Sequence, residues 1–95
     1  VELLLRLLND PGWPVRQAAA RALGEIGDAR AAKALGGALA DPEEDVRWAA
    51  IEALTHLDCP EAQEIVARAA QDESQPELVR GVAEAAVAAR EGKVS

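Results

Sequence analysis

An internal repeat of 31 residues constrains the fold of this chain more than any other feature. Residues 9–39 align without a gap on residues 40–70, with identical residues at 10 of the 31 positions. A period of this length is typical of solenoids, in which each unit buries its apolar face only against a neighbouring unit. The sequence therefore predicts one repeat domain, made of a partial repeat 1–8, full repeats 9–39 and 40–70, and a partial repeat 71–95.

Each full repeat carries the apolar spacing of a helix in its first half. Apolar residues recur at positions 15, 18, 19, 22, 23 and 26, and again at 46, 49, 50, 53, 54 and 57. This is helical periodicity, and we expect these positions to face the core. Gly27-Asp28 and Asp58-Cys59-Pro60 then separate a second helix from the first. The predicted helices cover residues 1–9, 13–26, 29–40, 43–57, 60–71 and 76–91.

The composition agrees with an all-α fold. The chain has two Trp, no Phe, no Tyr and no Met, and is rich in the strong helix formers Ala and Leu. The recurring pattern D-P-x-x-x-V-R-x-A-A-x-x-A-L resembles the short bacterial HEAT-like repeat of the phycobilisome-lyase type, and the resemblance covers nearly the whole chain. It implies a right-handed α-solenoid of about six helices, with the second helix of each pair on the concave face.

Charge is distributed unevenly and limits the classes of partner. The formal net charge is −7, with a net of +1 over residues 1–40 and −8 over residues 41–95. An acidic chain repels phosphate, so nucleic-acid binding is disfavoured. No apolar run approaches the roughly 20 residues of a membrane-spanning helix, and we expect a cytoplasmic protein with a protein partner.

A polar pair recurs with the repeat. The acidic members are Asp10, Asp41 and Asp72, and the basic members are Arg16, Arg47 and Arg80. Polar residues that follow the structural period favour a stacking role, a structural ladder in which each Asp caps a helix or pairs with an Arg of the adjacent unit. The alternative is a row of Arg side chains that binds an acidic ligand.

The two tryptophans do not follow the repeat. Trp48 aligns with Gln17 and Gly81, and its helical phase predicts the outer, convex surface. Trp13 lies at the start of a helix and is expected to be partly exposed. Both are candidate partner contacts because Trp is enriched at interfaces, although a Trp can also simply cover apolar helix surface.

The second helices supply the remaining candidates. On the expected concave face the exposed charged residues are Arg30, Lys33, Glu61, Glu64 and Arg68. Gly36 and Gly37 fall inside a helix, where glycine costs about 1 kcal/mol relative to Ala. They indicate either a close backbone approach or the open floor of a groove.

Residues for catalysis or metal binding are missing from the pattern. The chain has one His, His56, and one Cys, Cys59. A zinc site needs several such ligands, and no group that could orient a nucleophile is evident. We therefore predict no catalytic, cofactor or metal site and no enzymatic activity.

The predicted function is a protein-interaction or assembly scaffold that uses the concave face. Two alternatives stay open: an accessory subunit of a bilin lyase or another enzyme-maturation system, and a structural spacer within a longer protein. The first helix carries five leucines, at positions 3, 4, 5, 7 and 8. An apolar end surface of this kind predicts self-association, as a homodimer through that helix.

Overall fold

The computed structural model describes residues 1–71 and 77–92, with side chains placed for residues 1–71 and 80–89. In this part of the chain there are helices and no strands, which confirms the all-α prediction. The helices are α1 (Glu2–Leu7), α2 (Trp13–Ile26), α3 (Ala32–Ala38), α4 (Glu44–His56), α5 (Pro60–Gln71) and α6 (Glu77–Gly92), and a 3₁₀ turn over Ala29–Ala31 precedes α3. The predicted boundaries of α2 and α5 coincide with these, and those of the other four helices differ by one to three residues at each end.

Local sequence explains where α2 ends and α3 begins. Gly27 adopts a left-handed conformation, with φ of 73°, and its N–H donates to the carbonyl oxygen of Leu23 at 3.1 Å. Glycine is favoured there because it lacks the Cβ that makes this conformation costly for other residues. Asp28 then accepts a hydrogen bond from the N–H of Arg30 at 2.9 Å and opens the next turn.

The helices form two rows in an α-solenoid. The outer row is α2, α4 and α6, in which α4 packs against both neighbours. The other row is α1, α3 and α5, whose members pack against the outer row and, for α3 and α5, against each other. The molecule is elongated, with extents of 42 × 26 × 15 Å. The repeat unit is thus a helix pair, as the periodicity predicts.

The backbones of α2 and α4 approach each other closely where the two helices cross. A Cβ atom placed on Gly24 would lie 2.7 Å from Cα of Ala53, well inside van der Waals contact. Gly24 is buried, and Ala53 is 3% exposed. Small residues at this crossing let the two helices approach and bury the Ala-rich face of α4.

One predicted core face is wrong for the first full repeat. Val15, Ala18 and Ile26 were expected to be buried like their counterparts Val46, Ala49 and Leu57. In the structure all three are exposed, with Val15 at 38% and Ile26 at 54%. The reason is geometric: α2 covers this face of α4, whereas no described helix covers the same face of α2.

Most leucines of α1 and its C-terminal end pack against the core of the same molecule. Leu8 is buried, and Leu4, Leu5 and Leu7 pack against the core. Only Leu3 stands clear of it, at 66% exposed. The predicted homodimer through this helix therefore has little free leucine surface to use, and it stays a prediction.

Candidate interaction groove

A groove runs between α3 and α5, the two second helices that pack against each other. Its volume is about 310 Å³. The lining residues are Lys33, Gly36, Leu39, Glu61, Ile65, Arg68 and Ala69. This size is at the lower end of small-molecule pockets, so the groove fits a few side chains of a partner rather than a large cofactor. We call it the α3–α5 groove.

Gly36 explains how the groove is built. A Cβ atom at this position would lie 3.2 Å from Cδ1 of Ile65, which is tighter than ordinary packing. Glycine therefore lets the Ile65 side chain approach the α3 backbone, while Gly36 itself lines the groove. Both predicted explanations, the close approach and the groove floor, apply to this residue.

A second groove lies on the other side of α3, against α1. It has a volume of about 270 Å³, and its lining includes Leu5, Asn9, Gly37 and Asp41. A Cβ atom on Gly37 would meet nothing within 4 Å. Gly37 is therefore not required for a close approach, in contrast to Gly36.

Three of the five predicted concave-face residues come together at the rim of the α3–α5 groove. They are Lys33, Glu61 and Arg68, and all three are exposed. Arg68 donates to Glu64, with Nη2 and Oε1 2.6 Å apart. Within the described residues no salt bridge involves Lys33 or Glu61. The rim thus offers one free cation and one free anion beside an apolar floor.

The other two predicted residues are engaged locally. Arg30 holds Asp28 through Nη2 and Oδ2 at 2.8 Å, with Nε also in range of the carboxylate. The hydrogen bond from the Arg30 side chain, with that from its backbone N–H, lowers the pKa of Asp28 to about 2. Glu64 is tied to Arg68, and neither Arg30 nor Glu64 lines the groove.

The tryptophans lie away from this groove, on the outer row. Trp13 opens α2 and is exposed, as expected. Trp48 lies on α4 and is half-buried. Partial burial agrees with the idea that Trp48 covers apolar surface, and its role as a partner contact stays a prediction.

The repeating Arg and Asp residues meet between units. Arg16 donates to Asp41 of the next unit through Nε at 2.8 Å and Nη2 at 3.1 Å, a two-point contact. Its Nη1 donates to the carbonyl oxygen of Asp10 at 2.8 Å. Arg47 repeats the last contact one unit later, with Nη1 2.7 Å from the carbonyl oxygen of Asp41.

The Asp residues hold the turns that precede the helices. Asp10 accepts from the N–H of Gly12, and Asp41 from the N–H of Glu43, each at 2.9 Å. Both donors are the residues just before a helix, so Asp10 and Asp41 organise the turn rather than cap the first helical turn itself. Burial alone would raise the pKa of Asp41, but the hydrogen bonds from Arg16 and Glu43 outweigh it and leave that pKa below its ordinary value.

Two members of this series have an unused donor. Nε of Arg47 and Nε of Arg80 are buried, and neither has a hydrogen-bond partner within the part of the chain that the structure describes. By register the partner of Arg47 is Asp72, which lies outside the described residues.

The one His and the one Cys, the residues considered for catalysis or metal binding, lie near the end of α4. His56 is exposed at the end of α4, and Cys59 is half-buried against the core. Over the residues that the structure describes, no group of His, Cys, Asp and Glu could hold a metal ion. The described helices also include none that is long and apolar enough to cross a membrane.

The sequence pattern missed the apolar floor of the groove. None of Leu39, Ile65 and Ala69 was predicted as a site residue, yet all three line the groove. A signal was present at Ile65, because its counterpart in the first repeat is the much smaller Ala34. Of the two full repeats, only the second has a large side chain at this position, and such a difference between units is typical of a unit-specific site.

Comparison with known proteins agrees with this architecture. The family of HEAT repeats matches residues 1–44 and 37–93, so the two matches together span nearly the whole chain. A search of curated proteins found no match. The family match does not separate the phycobilisome-lyase type from other HEAT repeats, and that finer assignment stays a prediction. The repeat register, the two-row helical packing and this match together show that the chain belongs to the HEAT-repeat family.

Proposed function

We propose that this chain is a non-enzymatic protein-interaction module that binds a segment of a partner protein in the α3–α5 groove. HEAT repeats generally mediate protein–protein interaction or scaffolding. The observation that carries the proposal is the combination of an apolar floor, formed by Leu39, Ile65 and Ala69, with charged residues at the rim. Interfaces commonly have this anatomy, in which an apolar centre is surrounded by polar groups.

The charges indicate what the partner segment carries. Among the described residues neither Lys33 nor Glu61 is in a salt bridge, so Lys33 can pair with a carboxylate and Glu61 with a cation of the partner. The floor accepts one or two aliphatic side chains in about 310 Å³. We therefore expect a short segment with an apolar anchor flanked by charges of both signs, as in helix-in-groove recognition.

A displayed library of peptides with this pattern tests the proposal. Binders would be mapped onto the chain by backbone NMR shifts, and the shifts are expected at the groove residues. Lys33→Glu and Ile65→Arg should each weaken binding at least ~10-fold, because they remove a charge partner and fill the floor. Glu52→Lys, on the exposed side of α4, is the matched control and should leave binding unchanged.

Trp48→Ala separates this site from the alternative patch on the outer row. If binding is lost in Trp48→Ala and kept in Lys33→Glu, the interaction surface lies on α4 and the groove proposal is wrong. Glu64→Lys, which breaks the exposed pair with Arg68, should change binding only modestly.

A further inference from the structure

A largely exposed apolar stripe on α2 has a buried counterpart on α4. The stripe consists of the exposed Val15, Ala18 and Ile26 and the half-buried Ala22, and we call it the α2 stripe. The matching residues are Val46, Ala49 and Ala53 of α4 and Leu57 just after it, and none of these four is more than 3% exposed. In this set Ala53 lies against Gly24 of α2, and the buried Ala20 lies one turn earlier on the same face of α2. A first helix with small residues at those two positions is therefore a surface that fits such a stripe.

Helix α6 presents a surface of this kind. The repeat register places Glu84 at the position of Ala20 and Ala88 at the position of Gly24. Gly81, Glu84, Ala85 and Ala88 are all exposed. Over the α6 residues whose side chains the structure describes, this face is made of small residues with a single carboxylate, so it can approach another helix closely at the cost of desolvating Glu84.

The recurring Arg and Asp residues also offer a complementary pair of charges, with Asp10 just before α2 and Arg80 on α6. Asp10 stands where Asp41 stands one unit later, yet among the described residues its carboxylate accepts only from the N–H of Gly12. Arg80 is the counterpart of Arg16, and its buried Nε has no hydrogen-bond partner among the described residues. A buried N–H without an acceptor is unfavourable, and an additional carboxylate would relieve it.

The charges of the two halves also attract each other. Residues 1–40 carry a net charge of +1 and residues 41–95 a net charge of −8. Contact between the first end of one molecule and the last end of another is therefore favoured over contact between two last ends.

We propose that this chain associates head to tail, with α6 of one molecule packed on the α2 stripe of a second copy. In that contact Arg80 donates to Asp10 of the second copy, as Arg16 donates to Asp41 within one molecule. The two contacting surfaces are different, so one surface of each kind is still free after two molecules have joined. The assembly therefore grows beyond a dimer until a larger ring closes. The proposal is independent of the α3–α5 groove, which lies on the other row.

Sedimentation of the purified chain from about 5 μM to about 1 mM tests this, because association must follow mass action. The mean mass should rise with concentration and pass that of a dimer. Asp10→Arg or Arg80→Asp alone should weaken association at least ~10-fold. An equimolar mixture of these two variants should restore it, because mixing places opposite charges at every junction. Glu52→Arg, which changes the charge by the same amount as Asp10→Arg but lies at neither end, should behave like the unchanged chain.

Glu84→Ala keeps the test decisive if an end variant fails to fold. The position is exposed and Ala favours helix, so this variant should fold and associate more tightly than the unchanged chain. A monomer at every concentration, an assembly that stops at two molecules, or a Glu84→Ala variant with no gain would each overturn the proposal. Failure of the mixture to associate, with both variants folded by circular dichroism, would overturn the Arg80–Asp10 contact.

Discussion

Identical repeat positions meet different surroundings in the first and second full repeats. Val46 in α4 and Leu57 just after it are 0% and 2% exposed, whereas their counterparts in α2, Val15 and Ile26, are 38% and 54% exposed. The residue types are the same or nearly so, and the positions in the repeat are the same. What differs is that, among the described helices, α4 has a neighbour on each side in its row and α2 has one. In a solenoid, burial is therefore a property of the neighbouring unit as much as of the residue itself.

Truncating Leu57, which is buried, gives the largest expected effect, and truncating its exposed counterpart Ile26 gives the comparison. Leu57→Ala should lower the free energy of unfolding by about 2–5 kcal/mol, because it removes buried methyl groups and leaves a cavity. Ile26→Ala should change it by less than about 1 kcal/mol, because the side chain is exposed. Urea denaturation followed by circular dichroism at low protein concentration measures both. Equal losses would mean that the two repeats are equally covered in solution.

One added methyl group at Gly24 should force α2 and α4 apart where they cross. Gly24→Ala should destabilise the chain by about 1–3 kcal/mol, because the added Cβ overlaps the backbone of Ala53. Gly37→Ala is the matched helical control, and it should stabilise the chain by up to about 1 kcal/mol through helix propensity alone. A neutral Gly24→Ala would show that the crossing is looser than the structure describes.

The ion pair between the two repeats should contribute more than the exposed pair within α5. Asp41→Ala leaves the largely buried Arg16 without its carboxylate, and we expect a loss of about 1–3 kcal/mol. Glu64→Ala breaks an exposed pair with Arg68 and should cost less than about 0.5 kcal/mol. Thermal unfolding of the two variants compares them. Similar shifts in melting temperature would contradict a stacking role for Arg16 and Asp41.

The pH dependence of the same ion pair is the smallest of these effects. The folded-state pKa of Asp41 is lowered, so its contribution to stability is present above the unfolded value of about 3.9 and is lost as pH falls through the folded pKa. The stability difference between the unchanged chain and Asp41→Asn should be constant from about pH 5 to about pH 7 and shrink below about pH 4. Denaturation curves at several pH values measure this difference. A difference that grows in acid would reverse the assigned sign.

Much of the fold could be predicted because the determining signals are local or periodic. The break between α2 and α3 followed from Gly27-Asp28, and the start of α5 followed from Pro60. The spacing of Arg16, Arg47 and Asp41 followed from the repeat, and the first link of that series is seen directly. These features depend on dihedral preferences and helical phase, and both can be read from the amino-acid sequence.

The candidate groove could be predicted only in part. Lys33, Glu61 and Arg68 were recognised from their place on the second helices, but their grouping with Leu39 and Ile65 depends on how α3 and α5 pack. Arg30 was also predicted as an exposed partner contact, but in the structure its guanidinium pairs with Asp28. Distances between residues about 30 positions apart are set by packing, which composition and spacing do not specify.

The sequence by itself determined the repeat unit, the helical class and the register in which Arg and Asp recur, because each of these is encoded by a period or by a turn residue. The tertiary structure decided which copies of those residues are buried, why Gly24 and Gly36 have no side chain, and how far Trp48 is covered. The physical reason is that a helical pattern records which face of a helix is apolar. Whether that face is covered depends on a neighbouring helix whose distance and position only the folded chain defines.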